Sequence, residues 1–202
     1  MSVTLVLATR NPHKIEEVTR IFRETGLIVE LLGTDAIADA PEVAETGATF
    51  AENALLKAHA MAQAAGRTAI ADDSGLCVDA LGGMPGVLSA RWAGGHGDDA
   101  ANLTLLLDQL ADVPEARRRA HFACAAAIVR PDGTQRVVEG RVDGQLTYEP
   151  RGDGGFGYDP IFVPEGHTRT TAEMTAEEKD ALSHRGRAFR ALAAVVGDFV
   201  PT

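Results

Sequence analysis

The segment Ile70–Leu76 reads IADDSGL, so a short apolar run ends at two adjacent carboxylates. If residues 69–71 close a buried strand, Asp72 and Asp73 lie where the sheet ends, and alternate side chains of a strand point to opposite faces. Only one of the two carboxylates can then face a given cleft. The tetrapeptide Asp-Asp-Ser-Gly is also good turn chemistry, because Asp and Ser bond their own backbone and Gly accepts a positive φ. The segment by itself leaves both interpretations open.

A strand, a polar turn and a helix open the chain. The aliphatic run at residues 3–8 predicts a buried strand, after which Asn11 suits a helix N-cap and Pro12 the first helical position. Free N–H groups at this helix start, with Arg10 and Lys14 beside them, would suit a phosphate, although the glycine-rich Walker pattern is absent. The alternative is a well-capped surface helix with solvated basic residues.

A second helix is predicted to begin near Thr49, since Thr49-x-x-Glu52 has the spacing of a capping box. Asn53 and Lys57 lie one turn apart on this helix and therefore share a face. Glu45 precedes the helix, where a carboxylate either favours the helix start or reaches a metal. The structural and the functional interpretation of Glu45 both remain open.

The remaining strands predict a mixed sheet. Residues 27–32 predict a second strand, and residues 122–129 and 135–142, joined by Pro-Asp-Gly, predict an antiparallel hairpin. That hairpin would lie beside the parallel opening unit. The leucines of residues 103–110 have helical spacing, which is more typical of a core or a subunit interface than of a ligand site.

Two later segments carry groups that could recognise a nucleotide base. Residues 152–160 (GDGGFGYDP) combine glycines, which let a backbone approach a ligand, with aromatic rings that can stack on a flat base. A tight loop stapled by its own aromatics is equally compatible. Ser183 is predicted to cap the last helix, which puts His184 and Arg185 in its first turn, with donors able to read a carbonyl-bearing ring. The alternative is a plain break between two helices.

Size and charge limit the possible functions. A chain of 202 residues suits one domain, or two lobes sharing a core, and 45% hydrophobic with 24% charged residues is typical of a globular protein. The formal net charge of −10 argues against a broad nucleic-acid-binding face, which needs clustered Lys and Arg. A small anion could still bind where a few cations or a metal converge.

Cysteine usage and hydropathy favour the cytoplasm. Cys77 and Cys124 both lie in apolar surroundings, which predicts free thiols rather than a disulfide framework or a zinc site. We find neither a basic leader with a long apolar stretch nor an apolar run of bilayer length. We therefore expect a cytoplasmic protein without a membrane role.

Six motifs follow one another along nearly the whole chain. They are Thr9-x-Asn11-x-x-Lys14-x-x-Glu17, Glu45-Thr46-Gly47, Glu52-Asn53-Ala54-x-x-Lys57, Asp72-Asp73-Ser74-Gly75-Leu76, Gly155-Phe156-Gly157-Tyr158-Asp159-Pro160 and Ser183-His184-Arg185. In this order they resemble the inosine triphosphate pyrophosphatases, also called dITP/XTP diphosphatases. One such motif would be weak evidence, but six in the same order make coincidence hard to defend.

The resemblance implies a fold and an activity. The implied fold is an elongated mixed α/β fold, a central sheet with flanking helices, in which a single catalytic domain (residues 1–202) forms two lobes with the active-site cleft between them. The implied activity is magnesium-dependent hydrolysis of ITP, dITP and XTP to the monophosphate and pyrophosphate, which keeps non-canonical purines out of nucleic acids. Such enzymes are usually homodimers.

The resemblance also assigns roles to residues. Asp73 is expected to be the catalytic carboxylate and, with Glu45, a ligand of Mg²⁺. The residues expected to hold the triphosphate are Thr9, Arg10, Asn11, Pro12, His13, Lys14 and Lys57. Those expected to contact the nucleoside or its base are Ser74, Phe156, Gly157, Tyr158, Asp159, Lys179, His184 and Arg185. Arg10 stands where many members carry a small or amide residue, so its side chain either binds the phosphates or turns away.

Elementary chemistry agrees with these roles. Water attack on phosphorus needs a carboxylate near the water and positive charge along the leaving pyrophosphate. Donors from His184 and Arg185 would favour a purine with a 6-oxo group over adenine, although this does not explain how guanine is excluded. Two other functions remain open, an enzyme acting on modified pyrimidine nucleotides and a nucleotide sensor without catalysis. The complete set of Asp73, Glu45, Lys14 and Lys57 argues against the sensor.

Overall fold

The computed structural model describes residues 3–200, with the side chains of Val3, Pro12 and His13 outside the described part. In these residues the strands are β1 (Val3–Leu7), β2 (Val29–Leu32), β3 (Ala69–Val78), β4 (Arg119–Val129), β5 (Gln135–Leu146) and β6 (Phe162–Pro164). The helices are α1 (Pro12–Glu24), α2 (Phe50–Ala65), α3 (Asp99–Gln109), α4 (Ala176–Leu182) and α5 (His184–Ala193). Within this part of the chain, no helix is both long and apolar enough to cross a membrane.

The strands form one mixed sheet in the order β2-β1-β3-β4-β5-β6. β1 runs parallel to β2, with Val3 opposite Val29, and parallel to β3, with Val6 opposite Ala69. β5 and β6 are antiparallel, with Leu146 opposite Phe162. The prediction of a mixed α/β fold is therefore confirmed.

Local signals predicted several element boundaries correctly. α1 begins at Pro12, and Thr49 caps α2 by accepting a 3.1 Å hydrogen bond from the Glu52 N–H. The carboxylate of Glu52 accepts from the Ala48 N–H at 2.6 Å, so the second half of the predicted capping box is displaced by one residue. The predicted hairpin is present, since β4 and β5 are neighbours and the Arg130 N–H donates to the Thr134 carbonyl across the turn.

The extent of β3 differs from the sequence prediction. A strand ending at Ala71, or a turn at Asp-Asp-Ser-Gly, was expected, but β3 continues through both carboxylates to Val78. The strand continues because Asp72 and Asp73 are buried and bonded to charged or amide side chains. These bonds take the place of water around the two carboxylates, so both can be buried within the extended strand. β2 also begins two residues later than predicted, at Val29.

The chain divides into two compact units. The first holds the described residues up to Asp73, Cys124–Gly140 and those from Arg185 onward, while the second holds Ser74–Ala123 and Arg141–His184. The core of the first unit contains buried side chains that include Leu5, Leu7, Ile21, Phe22, Ile70 and Phe189. The core of the second contains buried side chains that include Leu76, Leu106, Leu110, Phe122 and Phe162. The leucines of α3 thus serve the core, as one of the two interpretations predicted, and Cys77 and Cys124 are free thiols.

Candidate active site

Charged side chains from four secondary-structure elements and one loop segment form two neighbouring sets of contacts in the first unit, one around Asp72 and one around Asp73. α1 contributes Lys14 and Glu17, the segment before α2 contributes Glu45, α2 contributes Lys57, β3 contributes the two aspartates, and α5 contributes Arg185. We call these residues the acidic–basic cluster: Lys14, Glu17, Glu45, Lys57, Asp72, Asp73 and Arg185. Four of the seven, Lys14, Lys57, Glu45 and Asp73, are residues for which the sequence predicted phosphate or metal binding.

The Asp72 carboxylate accepts hydrogen bonds from two cationic side chains. The Lys14 ammonium donates to both of its oxygens, at 3.2 and 3.1 Å, and the Arg185 Nε donates to Oδ2 at 3.2 Å. Arg185 also donates through Nη1 to Glu17 Oε2 at 2.9 Å, so α1, β3 and α5 are tied together. Burial alone would raise the pKa of Asp72, but the charges of Lys14 and Arg185 outweigh burial and hold that pKa far below its usual range. A carboxylate with so low a pKa is a poor general base.

Asp73, the next residue, has different partners. Asn53 Nδ2 donates to Oδ2 at 2.9 Å, and the Lys57 ammonium lies 3.6 Å from Oδ1. The same ammonium donates to Glu45 Oε1 at 2.7 Å. Burial raises the pKa of Asp73 and repulsion from Glu45 adds to it, so that this pKa lies above its usual value despite Lys57 and Asn53. A raised pKa is what a carboxylate needs to take a proton near neutral pH.

Lys57 joins the two carboxylates that were predicted to bind a metal. Burial alone would lower the pKa of Lys57, but the negative charges of Asp73, Asp72 and Glu45 outweigh burial and raise it. Carboxylate oxygens are ligands that Mg²⁺ accepts, and Mg²⁺ commonly takes one or two of them with water and phosphate oxygens. Glu45 and Asp73 therefore fit such an ion as a two-carboxylate set. Groups of three or more His, Cys, Asp or Glu suited to a metal are absent from the described part of the chain.

The turn between β1 and α1 contains the other predicted phosphate residues. Thr9 Oγ1 accepts a 3.1 Å hydrogen bond from the Asn11 N–H, which shapes the approach to the helix. The side chain of Arg10 is 64% exposed and lies 3.8 Å from Glu42, so it turns toward an acidic surface neighbour in this structure. The predictions for the side chains of Pro12 and His13 lie outside the described residues.

Asp159 holds the glycine- and aromatic-rich loop in the second unit. Its Oδ2 accepts from the Phe156 N–H at 2.8 Å and from the Lys179 ammonium at 2.5 Å, while Oδ1 accepts from Thr171 at 2.8 Å. Phe156 is 44% exposed, and the Lys179 ammonium lies 4.8 Å from the centroid of its ring. The loop is thus stapled by its own residues and also presents an aromatic ring, so the two interpretations of this segment are compatible.

Other residues predicted to contact the nucleotide, Gly157, Tyr158 and His184, have partners within the second unit. The Tyr158 hydroxyl donates to the Ser89 carbonyl at 2.9 Å, and the Gly157 N–H donates to Asp99 at 2.9 Å. The buried His184 ring stacks on Phe122 with centroids 4.8 Å apart and an interplanar angle of 10°. These contacts indicate that Tyr158, like Asp159, supports the loop. Direct contact of either side chain with a nucleotide stays a prediction.

Three residues have positions or partners that the sequence did not predict: Arg185, Ser74 and Asn53. Arg185 was predicted to read the base, but its guanidinium is bonded to Asp72 and Glu17, so the geometry indicates an anchoring role within the first unit. Ser74 is a half-buried residue inside β3 rather than part of a turn. Asn53 was not predicted to belong to the site, although its position one turn before Lys57 on the same helix face was a signal that could have found it.

Comparisons with known proteins identify the family. A model of the Ham1 family matches residues 5–195, and the chain belongs to this family. A dITP/XTP pyrophosphatase of Streptomyces avermitilis is 63% identical over 196 residues, covering 97% of this chain and 98% of that protein.

Solved structures agree with this assignment. The crystal structure of a nucleoside-triphosphatase / dITP/XTP pyrophosphatase from Mycobacterium abscessus is 54% identical, with a TM-score of 0.77 over 94% of this chain and 97% of that one. A HAM1 protein from Coxiella burnetii is 38% identical, with a TM-score of 0.88 over 97% of this chain and 99% of that one. Fold and sequence therefore place the chain in the same family.

Proposed function

We propose that this protein hydrolyses the non-canonical purine nucleoside triphosphates dITP, XTP and ITP to the nucleoside monophosphate and pyrophosphate. By this reaction it would keep such nucleotides out of nucleic acids. The proposal draws on the dITP/XTP pyrophosphatases that resemble nearly the whole chain. The structural observation that carries it is the buried Asp73 carboxylate beside Glu45 and Lys57.

In the proposed reaction Asp73 accepts a proton from the attacking water. The water oxygen bonds to the α-phosphorus, the phosphoanhydride bond between the α- and β-phosphates breaks, and pyrophosphate leaves. Asp72 does not compete for the role of base, because its pKa is held low by Lys14 and Arg185. The burial of Asp73 and its place beside Lys57 and Glu45 favour the assignment.

We propose Mg²⁺ as the cofactor, held by Glu45 and Asp73. The acidic–basic cluster contains three cations and four carboxylates, so its own charge does not attract a triphosphate. Bound Mg²⁺ would supply positive charge to neutralise the phosphate oxygens as the bond breaks. Lys57 would then be free to move from Glu45 and Asp73 toward a phosphate.

Phosphate binding is assigned to the first unit. The positive end of the α1 helix dipole lies at the turn between β1 and α1, and the Lys14 side chain, which is 22% exposed, adds an ammonium there. Thr9, Arg10, Asn11 and Lys57 complete the set. Because Asp72 already holds Lys14, the phosphate would share this ammonium rather than receive a free one.

Base recognition is assigned to the second unit. The exposed face of Phe156 would stack on the purine, with Lys179 and His184 supplying donors to a 6-oxo group, which adenine lacks. Tyr158 and Asp159 would act by holding Phe156 and Lys179 in place. This assignment predicts preference for hypoxanthine and xanthine over adenine.

The decisive experiment is product analysis with dITP or ITP and Mg²⁺. Pyrophosphate should be released, and a chelator should abolish its release until Mg²⁺ is restored. Release of orthophosphate alone, with contaminating pyrophosphatase excluded, would show that the assigned reaction is wrong. Faster turnover of a modified dUTP than of dITP would instead support a pyrimidine enzyme.

We further propose that the protein acts in the cytoplasm as a homodimer, with neither nucleic acid nor membrane as a partner. The two free thiols suit a reducing compartment, and the net charge of −10 disfavours nucleic acid. Light scattering during size-exclusion chromatography tests the dimer directly.

A further inference from the structure

We propose that Asn53 is a positioning residue that sets the distance between Glu45 and Asp73 by bonding to Asp73 and to the loop that carries Glu45. The inference rests on the proposed function only in naming Mg²⁺ as the ion that these carboxylates hold.

Asn53 uses both ends of its amide. The side chain is completely buried in the first turn of α2, where Nδ2 donates to Asp73 Oδ2 at 2.9 Å and Oδ1 accepts from the Gly47 N–H at 2.8 Å. Only the NH₂ end can donate to a carboxylate and only the carbonyl end can accept from an N–H. The two partners therefore fix the orientation of the amide.

Gly47 connects Asn53 to Glu45, which lies two residues earlier in the chain. A Cβ at position 47 would lie 2.7 Å from Asn53 Oδ1 and from Glu52 Cβ, and 3.0 Å from the Asn53 backbone nitrogen. Such distances are shorter than van der Waals contact, so only glycine lets the loop approach the start of α2 this closely. The need for glycine comes from this approach rather than from an unusual φ.

The bond from Asn53 also orients the Asp73 carboxylate. With Oδ2 bound to Asn53, Oδ1 is the oxygen that faces Lys57 at 3.6 Å, and Lys57 in turn contacts Glu45. Asp73 is buried and repelled by Glu45, so a neutral donor on Oδ2 keeps it in place without adding charge. Without Asn53, Lys57 would still contact both carboxylates, but Asp73 would lose the donor on Oδ2 and the loop that carries Glu45 would lose its bond to α2. Neighbours that orient metal ligands commonly matter to affinity and to rate.

Asn102 provides a matched control. It is a second buried asparagine, 1% exposed, and its Oδ1 accepts a 2.7 Å hydrogen bond from the Ala93 N–H, just as Asn53 accepts from Gly47. Within residues 3–200, however, the Asn102 Nδ2 has no hydrogen-bond partner. The two residues therefore share the structural task of holding a loop, and only Asn53 contacts a carboxylate of the acidic–basic cluster.

The test compares Asn53→Ala and Gly47→Ala with Asn102→Ala. Mn²⁺ affinity is measured by calorimetry in the absence of nucleotide, kcat and KM are measured with dITP and Mg²⁺, and thermal melting reports stability. Asn53→Ala and Gly47→Ala should each weaken Mn²⁺ binding and lower kcat by about 10- to 100-fold, the usual effect of removing a group that orients a metal ligand. KM for dITP should change far less, because neither residue is expected to touch the nucleotide. Asn102→Ala should lower the melting temperature while leaving Mn²⁺ affinity and kcat near those of the wild type.

Gly47→Ala keeps Asn53 in the chain but displaces it, so it carries the same test if Asn53→Ala does not fold. The inference is overturned if Asn53→Ala and Gly47→Ala melt earlier yet retain wild-type Mn²⁺ affinity and kcat, since Asn53 would then be structural only. If the wild type releases no pyrophosphate but Asn53→Ala still weakens Mn²⁺ binding, the proposed function fails and the positioning role stands.

Discussion

The ammonium of Lys14 donates to both carboxylate oxygens of Asp72, at 3.2 and 3.1 Å. Asp73, one residue later on β3, instead contacts Asn53 and Lys57. Because successive side chains of a strand point to opposite faces, two adjacent carboxylates meet different surroundings. As a result the pKa of Asp72 is held far below its usual range and the pKa of Asp73 is raised. This contrast leads to opposite predictions for the two residues.

Asp73→Asn is expected to abolish turnover, with a loss of kcat of at least about 100-fold, while leaving dITP binding measurable. The variant should also melt later than the wild type at neutral pH. The pKa of Asp73 is raised above the ordinary 3.8, so its ionised form opposes folding once the unfolded carboxyl has lost its proton. The gain should shrink as pH falls toward 3.8, where both states become protonated. Pyrophosphate release tests the loss of turnover, and melting temperatures between pH 4 and 8 test the effect on stability. Near-normal turnover would indicate that Glu45, rather than Asp73, is the general base.

Asp72→Asn should have the opposite effect on stability. It leaves the buried Arg185 and the partly buried Lys14 without their shared anion, and breaking such a pair costs about 3–5 kcal/mol. The pKa of Asp72 is lowered in the folded state, so its contribution is complete above the ordinary 3.8 and is lost only as pH falls through the much lower folded value. Urea unfolding should therefore show the same loss at pH 5, 7 and 8. An unchanged unfolding midpoint would contradict the account of the Lys14–Asp72–Arg185 contacts.

Phe156→Ala is expected to raise KM for dITP without unfolding the protein. Stacking a base on an aromatic ring contributes about 1–3 kcal/mol, which corresponds to roughly 5- to 150-fold in affinity. The ring is 44% exposed and Asp159 holds the loop through the backbone N–H, so the fold should tolerate the change.

Tyr148→Ala is the matched control for Phe156→Ala. Tyr148 is a 52% exposed aromatic of the same unit and also carries a cation, the Arg118 guanidinium, 4.3 Å from its ring centroid. Equal increases in KM for the two variants would argue against a specific stacking role for Phe156.

His184→Ala should lower the ratio of kcat/KM for ITP to that for ATP. Losing one hydrogen bond to the 6-oxo group costs about 1 kcal/mol, which is a several-fold drop in this ratio. Because the ring stacks on Phe122, some stability should be lost as well. Phe122→Leu removes the stacking partner but keeps the imidazole, and it separates packing from recognition. An unchanged ITP/ATP ratio in His184→Ala would remove His184 from base recognition.

Local chemistry made much of the fold predictable. The start of α1 at Pro12 and the Thr49 cap of α2 each depend on groups within a few residues, so short motifs suffice to locate them. The residues of the acidic–basic cluster were only partly predictable. Motif matches selected Lys14, Glu45, Lys57 and Asp73; in the structure Lys57 contacts both Glu45 and Asp73, and Lys14 contacts the neighbouring Asp72. The same motifs did not reveal that Arg185 anchors Asp72 or that Asn53 bonds to Asp73.

IADDSGL, the segment at residues 70–76, shows where prediction from sequence ends. By itself it determined that two adjacent carboxylates adjoin a buried apolar run and that, if the backbone there is extended, they point to opposite faces. Whether the strand stopped there, and which carboxylate could act as a base, depended on Lys14 and Arg185, which lie 58 and 113 residues away from Asp72 in sequence. Only the tertiary structure brings those cations to Asp72 and leaves Asp73 to Asn53 and Lys57, because burial and the charge of distant neighbours set the pKa of each carboxylate.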